Sequence, residues 1–388
     1  MPEGVSDQLA GAAGSLVAAP AAISGARVIA VEAIPVALPL RRPLGFASGT
    51  IETAYNVLVR VHSDAGVVGC AEAQPRPYTY GETQDSILDA VRGWLGPRLE
   101  GVDPLAAERA RQRCAGLEGN HCARAAVEVA LADLAGQLLG VPCATLLGGG
   151  ADAVSVASML SFGDPAGTAE EAARLHERHG IAAFKAKVGR DVALDIACVT
   201  AIRHAVPEAL LYVDANRGWT LEQARAAAPA LAELGVAAIE EPLDLADEAG
   251  RRRLAREWDV LLAGDESCRS LSEVARELTG AVSQVSIKVA RTAFLESREI
   301  LAHCRAAGAH AVVGSQYEGA LGAWASIAFA AGCGELCAAP AEVGNFLDFS
   351  GDLVAPPTIV DGRVAIRAEP GLGVMIDPAA LAHYGMDS

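Results

Sequence analysis

The chain has 388 residues, 52% of them apolar and 20% charged, with a formal net charge of −17. Its length leaves room for two domains or for one large barrel with additions, and its balance of residues is that of a globular protein, not a disordered one. The acidic excess speaks against nucleic acid or an anionic membrane as partner, because both need a basic field, so an anionic substrate must find local positive charge.

The nine cysteines form no CxxC pair and are scattered through apolar contexts, as expected of reduced core thiols. Residues 1–26 are rich in Ala, Gly and Ser, with Glu3 and Asp7 where a secretory leader would be basic, so they read as a flexible tail on a cytoplasmic protein. From Arg27 to Gly66 the pattern is that of strands, Val28 to Pro39 and Ala54 to Val61, around a loop punctuated by Pro43, Gly45 and Gly49. A helix follows with Val127, Leu131, Leu134 and Leu138 on one face, closed by Gly140 and Pro142. Residues 27–150 are therefore expected to form a small α+β domain.

After Gly150 short apolar runs alternate with amphipathic helices. Strands are expected at Val154 to Leu160, Ala182 to Val188, Leu210 to Asp214, Val236 to Glu240, Val260 to Asp265, Gln284 to Lys288 and His310 to Gly314. One intervening helix places Leu194, Cys198, Ile202 and Ala205 on one face. Apolar strands separated by helices predict a parallel sheet covered on both sides, and this many βα units favour a closed barrel over an open doubly wound sheet. The apolar run Gly319 to Cys333 is too short to span a bilayer and reads as a buried helix.

The polar residues of this region fall at strand C-terminal ends: Lys185 and Lys187, Asp214 and Asn216, Glu240, Asp265, and Lys288, with Glu318 after the last run. From Lys187 the steps to Asp214, Glu240, Asp265 and Lys288 are 27, 26, 25 and 23 residues, about one βα unit each. In a parallel barrel those ends converge on one mouth. Any one of these acids read alone suits a helix N-terminus, but three at matched register would repel unless protonated or bridged by a cation, and hard oxygen donors suit Mg²⁺. Lys187 and Lys288 would approach a substrate from opposite sides, with pKa values expected to be depressed by burial among cations. That chemistry is enolate formation beside a carboxylate.

The KxK of Lys185 to Lys187, the DxN of Asp214 to Asn216, the IEEP of Ile239 to Pro242, the DES of Asp265 to Ser267 and the isolated Lys288 together resemble the enolase superfamily, in its muconate-lactonising subgroup. LADLAGQLLG (131–140), LLGG (146–149) and AEAQPRPYTYGET (71–83) extend the likeness, which covers about residues 27–385. The resemblance implies a modified TIM barrel, (β/α)7β, over residues 151–350, an α+β capping domain over 27–150, and a segment 351–388 that returns to the cap. It implies Mg²⁺, with Mn²⁺ as a substitute, on Asp214, Glu240 and Asp265. Lys187 and Lys288 become the acid/base pair, supported by Lys185, Asn216 and Glu318. Phe46 and Ser48 in the cap loop, with Arg217, Arg291 and Tyr317 at the barrel end, become candidate specificity residues. A homo-oligomer acting on a small carboxylate is implied.

Within the subgroup the residues look closest to muconate cycloisomerases, which interconvert cis,cis-muconate and muconolactone. Racemases, epimerases or dehydratases of N-succinylamino acids, dipeptides or hydroxyproline use the same lysines and metal. Dipeptide epimerases usually carry a DxD after the last strand, whereas here Asp348 and Asp352 stand four apart. A metal-free Schiff-base aldolase on Lys288 is a more distant alternative, disfavoured because an imine site has no need of three aligned carboxylates.

Overall fold

The structure is a computed structural model that describes residues 25–46, 49–336 and 339–386. Three long strands open the chain, β1 (Val28–Phe46), β2 (Gly49–Ser63) and β3 (Val68–Ala73). They pair antiparallel in the order β1-β2-β3, and residues 44–46 of β1 still pair with 49–51 of β2 at the tip of the hairpin. The loop expected at 41–50 is thus largely an extension of this hairpin; Ser48 lies outside the described residues.

The helix His121–Leu139 packs across β3 and is buried on most of its circumference, including Val127, Leu131 and Leu134. It ends on Gly140 in the left-handed conformation, φ 69°, where glycine carries no Cβ penalty. Its close approach to the sheet depends on Gly69, since a Cβ there would stand 2.1 Å from the Ala130 carbonyl oxygen.

The second half is built on seven parallel strands: β5 (Ser158–Leu160), β6 (Ala183–Lys187), β7 (Leu210–Asp214), β8 (Val236–Glu240), β9 (Leu261–Gly264), β10 (Gln284–Ile287) and β11 (His310–Val313). Their order, β11-β10-β9-β8-β7-β6-β5, follows the sequence step by step. Residues 341–343 close the ring: the Glu342 N–H bonds Val313 O at 2.9 Å on one side, and the Ala157 N–H bonds Ala341 O at 2.7 Å on the other. The architecture is therefore a modified (β/α)7β barrel beneath an antiparallel cap sheet.

The first expected barrel strand, 154–160, is divided. Its start, β4 (Ala153–Ser155), joins a separate antiparallel sheet with β12 (Ile359–Val360) and β13 (Arg363–Ala365). The helix Val192–Ala205 buries Cys198, Val199 and Ile202 but exposes Ala205, so its buried face is rotated from the expected one. The helix Ala320–Gly332 is buried throughout, as its apolar run requires. Among the described residues no helix is long and apolar enough to cross a membrane, and the eight described cysteines are free thiols.

Strand parity now decides which side chains can meet. Phe184, Ala186, Leu211, Val213, Ile239, Val285 and Ile287 pack outward in the main core, so their neighbours at alternate positions turn into the barrel. There Ala157, Ala183, Tyr212, Ala238 and Ala263 form a small inner cluster. Two residues further along the same faces come Lys185, Asp214, Glu240 and Asp265, and Lys288 shares the inward parity of Ser286.

Candidate active site

The mouth is wired by charge across adjacent strands. Lys187 is the register partner of Asp214, and Asp214 of Glu240. Lys185, 2% exposed, sends Nζ to Glu240 Oε1 at 2.8 Å and to Glu342 Oε1 at 3.1 Å, with Asp214 Oδ2 at 3.6 Å. Lys187 Nζ donates to Asp214 Oδ2 at 2.7 Å and to Asn216 Oδ1 at 2.9 Å. On the other side Lys288 Nζ donates to Asp265 Oδ2 at 2.5 Å. The structure thus brings together the three lysines, the three strand-end acids and Asn216.

Burial acts to lower the Lys185 pKa, but Glu240, Glu342 and Asp214 outweigh it and hold the ammonium well above its ordinary range. For Lys288 burial is likewise outweighed, chiefly by Asp265, and the shift is upward. The depressed pKa expected from sequence for Lys288 does not hold in this arrangement, because its nearest neighbour is an anion. Asp265 is held below the usual carboxylate range: burial opposes ionisation, and Lys288 and Arg291 overcome it. For Glu266 the relief from Lys288 is outweighed, and burial followed by repulsion from Asp265, Glu241 and Asp214 pushes its pKa up to about 7.

Several side chains shape these ends without pointing at a substrate. Glu241 stands at φ 39° and its Oε1 accepts from the Asp265 N–H at 2.7 Å, the Ser267 N–H at 2.8 Å and the Ser267 hydroxyl at 2.6 Å. The second acid of IEEP therefore braces the DES turn. Glu318 folds back on its own loop, accepting from the Gln316 N–H at 2.9 Å and from the Ser315 hydroxyl. Glu342, which the sequence reading missed, takes both Lys185 and the Tyr212 hydroxyl, the latter at 3.1 Å.

The candidate specificity residues are less uniform. Arg291 is committed to the wall: Nη1 reaches Asp265 Oδ1 at 2.8 Å and the Tyr80 hydroxyl at 3.0 Å, while Nη2 reaches the carbonyls of Cys268 and Ser286. It orients Asp265 and has no Nη group left for a dicarboxylate. Arg217 is a third exposed, at φ 65°, with Nε 3.9 Å from Glu266. Tyr317, at φ 68°, donates its hydroxyl to Asp348 at 2.5 Å. Phe46 is placed by its backbone at the hairpin tip, paired with Gly49.

As a donor set the mouth offers hard oxygens only, and Glu266 Oε2 is buried without a hydrogen-bond partner. That chemistry fits a hard divalent cation. In the arrangement seen, ammonium and guanidinium groups engage the oxygens, and among the described residues no three acids, histidines or cysteines are gathered closely enough to hold a metal ion.

A closed parallel barrel with lysines and acids alternating around one mouth, under a cap tied to it, defines a strand-end active site. Two family models match, "Enolase C-terminal domain-like" over residues 167–380 and "Mandelate racemase / muconate lactonizing enzyme, N-terminal domain" over residues 28–148. The chain belongs to the enolase superfamily and is an enzyme of its isomerase, racemase and cycloisomerase kind.

It is 32% identical to the L-Ala-D/L-Glu epimerase of Bacillus subtilis, over 90% of this chain and 97% of that protein. It is also 32% identical to muconate cycloisomerase 1-2 of Acinetobacter lwoffii, over 90% and 93% respectively. Among solved structures, the muconate lactonizing enzyme of Mycobacterium smegmatis complexed with muconolactone superposes with a TM-score of 0.91 at 40% identity, over 93% of this chain and all of that one.

Proposed function

We propose that this enzyme is a muconate cycloisomerase, closing cis,cis-muconate to muconolactone and reopening it. The observation that carries the reading is the likeness, at 40% identity over nearly the whole chain, to an enzyme bound to that lactone. The site is consistent with it. In lactonisation one substrate carboxylate oxygen adds across a double bond and leaves an enolate beside the other carboxylate, whose α-carbon then takes a proton. Lys187 and Lys288 are held by different acids on different sides of the mouth. Either ammonium is placed to deliver that proton, and its conjugate amine to remove it in the reverse direction.

Asp214, Glu240 and Asp265 are the residues that would hold Mg²⁺, which when bound neutralises charge developing on substrate carboxylate oxygens. Lys185 and Glu342 fix the orientation of Glu240, Asn216 fixes both Asp214 and Lys187, and Arg291 fixes Asp265.

A racemase or epimerase of an amino-acid derivative is the second reading, favoured by the same two facing lysines and by the epimerase at 32% identity. Recognition of a dipeptide ammonium would call for free acids after the closing strand. Asp348 is engaged by Tyr317, and Asp352 accepts the Ala320 N–H at 2.6 Å and the Leu353 N–H at 2.7 Å. The test is NMR of the purified protein with Mg²⁺ in D₂O, against cis,cis-muconate and a set of N-acyl amino acids, dipeptides and proline derivatives. Lactone formation from muconate alone is the expected result. Exchange of an α-proton in an amino-acid derivative, without lactone formation, would replace the cycloisomerase reading by the racemase one.

A further inference from the structure

Behind the mouth lies a second cavity of about 290 Å³, between the helices Ala107–Cys114 and His121–Leu139 of the cap and the short helix Val289–Thr292 that follows β10. Its apolar wall includes Leu95, Ala110, Leu131 and Ala293. Arg291 forms part of the lining, and its Nη groups are spent on Asp265, the Tyr80 hydroxyl and the carbonyls of Cys268 and Ser286. Its Nε is buried and has no hydrogen-bond partner.

The charges around this space do not cancel in pairs. Arg111 is taken by Glu108 at 2.9 Å and by Glu299 at 3.2 Å. Glu296 accepts the Leu271 N–H at 2.8 Å. Glu128 Oε1 accepts the N–H groups of Phe294 and Leu295, and burial pushes its carboxyl up to about 7. Burial, reinforced by Arg291 and Arg124, lowers His121 to about 4, so it is neutral near pH 7. Arg124 remains: it lines the cavity, and no hydrogen bond or ion pair engages its side chain among the described residues.

An unpaired guanidinium lining a partly apolar space forms a site for a small anion with an apolar body. We infer that this cavity binds a small organic monocarboxylate, its carboxylate on Arg124 and its apolar part against Leu131 and Ala110, at a place separate from the catalytic mouth. The volume is at the small end for ligand pockets and suits one ring or a short acyl chain. The inference does not depend on which substrate the mouth takes.

Benzoate is the probe, titrated into the intact protein by calorimetry, with benzamide and benzylamine as the uncharged and cationic counterparts. Benzoate should bind, the two counterparts should not, and Arg124→Gln should weaken benzoate at least about tenfold, the loss expected when a charge-assisted contact disappears. Leu131→Trp, which fills the cavity from the apolar side, should abolish binding; if its melting curve shows that it does not fold, Arg124→Gln decides alone. Benzoate affinity equal in wild type and Arg124→Gln would mean that the molecule is bound elsewhere, the mouth included, and overturns the inference. So does failure of benzoate to bind, or preferential binding of benzylamine.

Discussion

At the scale of single residues the site is a set of lysines and carboxylates that neutralise each other at low solvent exposure, an arrangement in which loss of either partner is costly. Lys187→Ala and Lys288→Ala are each expected to lower kcat by at least about 10²-fold, the usual worth of a general acid or base, with circular dichroism unchanged. Normal turnover by either variant would remove that lysine from the chemistry. Glu342 acts differently, through Lys185 and Tyr212. Glu342→Gln keeps the shape but removes the charge facing a buried ammonium, so about 1–3 kcal/mol of stability should be lost. Urea denaturation measures it, and an unchanged midpoint would mean that Glu240 alone satisfies Lys185.

At the scale of elements, strand parity and strand ends are what the sequence displays. The expected strands lie within a residue or two of the observed ones from β6 to β11, because each is an apolar run ended by a charged residue or glycine. The same regularity places Asp214, Glu240, Asp265 and Lys288 on one inner face. Glu342 escaped because its closing strand is only about three residues long and carries no periodic signal. Arg291 looked like a substrate contact because nothing in VSIKVARTAF tells a wall from a mouth; its partners Asp265, Cys268 and Tyr80 come from two distant stretches of chain.

Close approach between elements was equally hidden in Gly69. Gly69→Ala would put a methyl 2.1 Å from Ala130 O and 2.5 Å from the Leu134 nitrogen, both backbone atoms of a buried helix. The helix must shift off β3, and destabilisation of about 3 kcal/mol or more is expected by thermal or urea melting. A melt like that of wild type would show the helix free to move.

At the scale of the whole molecule, carboxyls fasten segments that are remote in sequence, Asp133 from a buried position and Glu128 from a half-buried one. Asp133, in the cap helix, accepts the N–H groups of Cys70 and Leu372 at 2.8 and 2.7 Å, tying β3 to the returning C-terminal segment. Glu128, on the same helix, ties it to the start of the barrel helix Leu295–Ala307. Burial is the main cause that raises both, Asp133 to about 6 and Glu128 to about 7. A raised carboxyl binds its proton more tightly in the folded state than in the unfolded one. Between the unfolded value near 4.5 and the folded value near 7, Glu128 therefore makes stability fall as pH rises, and above 7 that loss is complete.

Glu128→Gln isolates this effect, because both N–H groups bond the same oxygen, Oε1, and an amide oxygen can accept them equally. The stability difference between variant and wild type should grow in the variant's favour from pH 4.5 to pH 7, by on the order of 3 kcal/mol, and level off beyond. Urea midpoints at half-unit steps of pH measure it, and every other titrating group cancels in the comparison. A difference that stayed flat across that window would mean that Glu128 keeps an ordinary pKa, its charge solvated or paired where the cap meets the barrel.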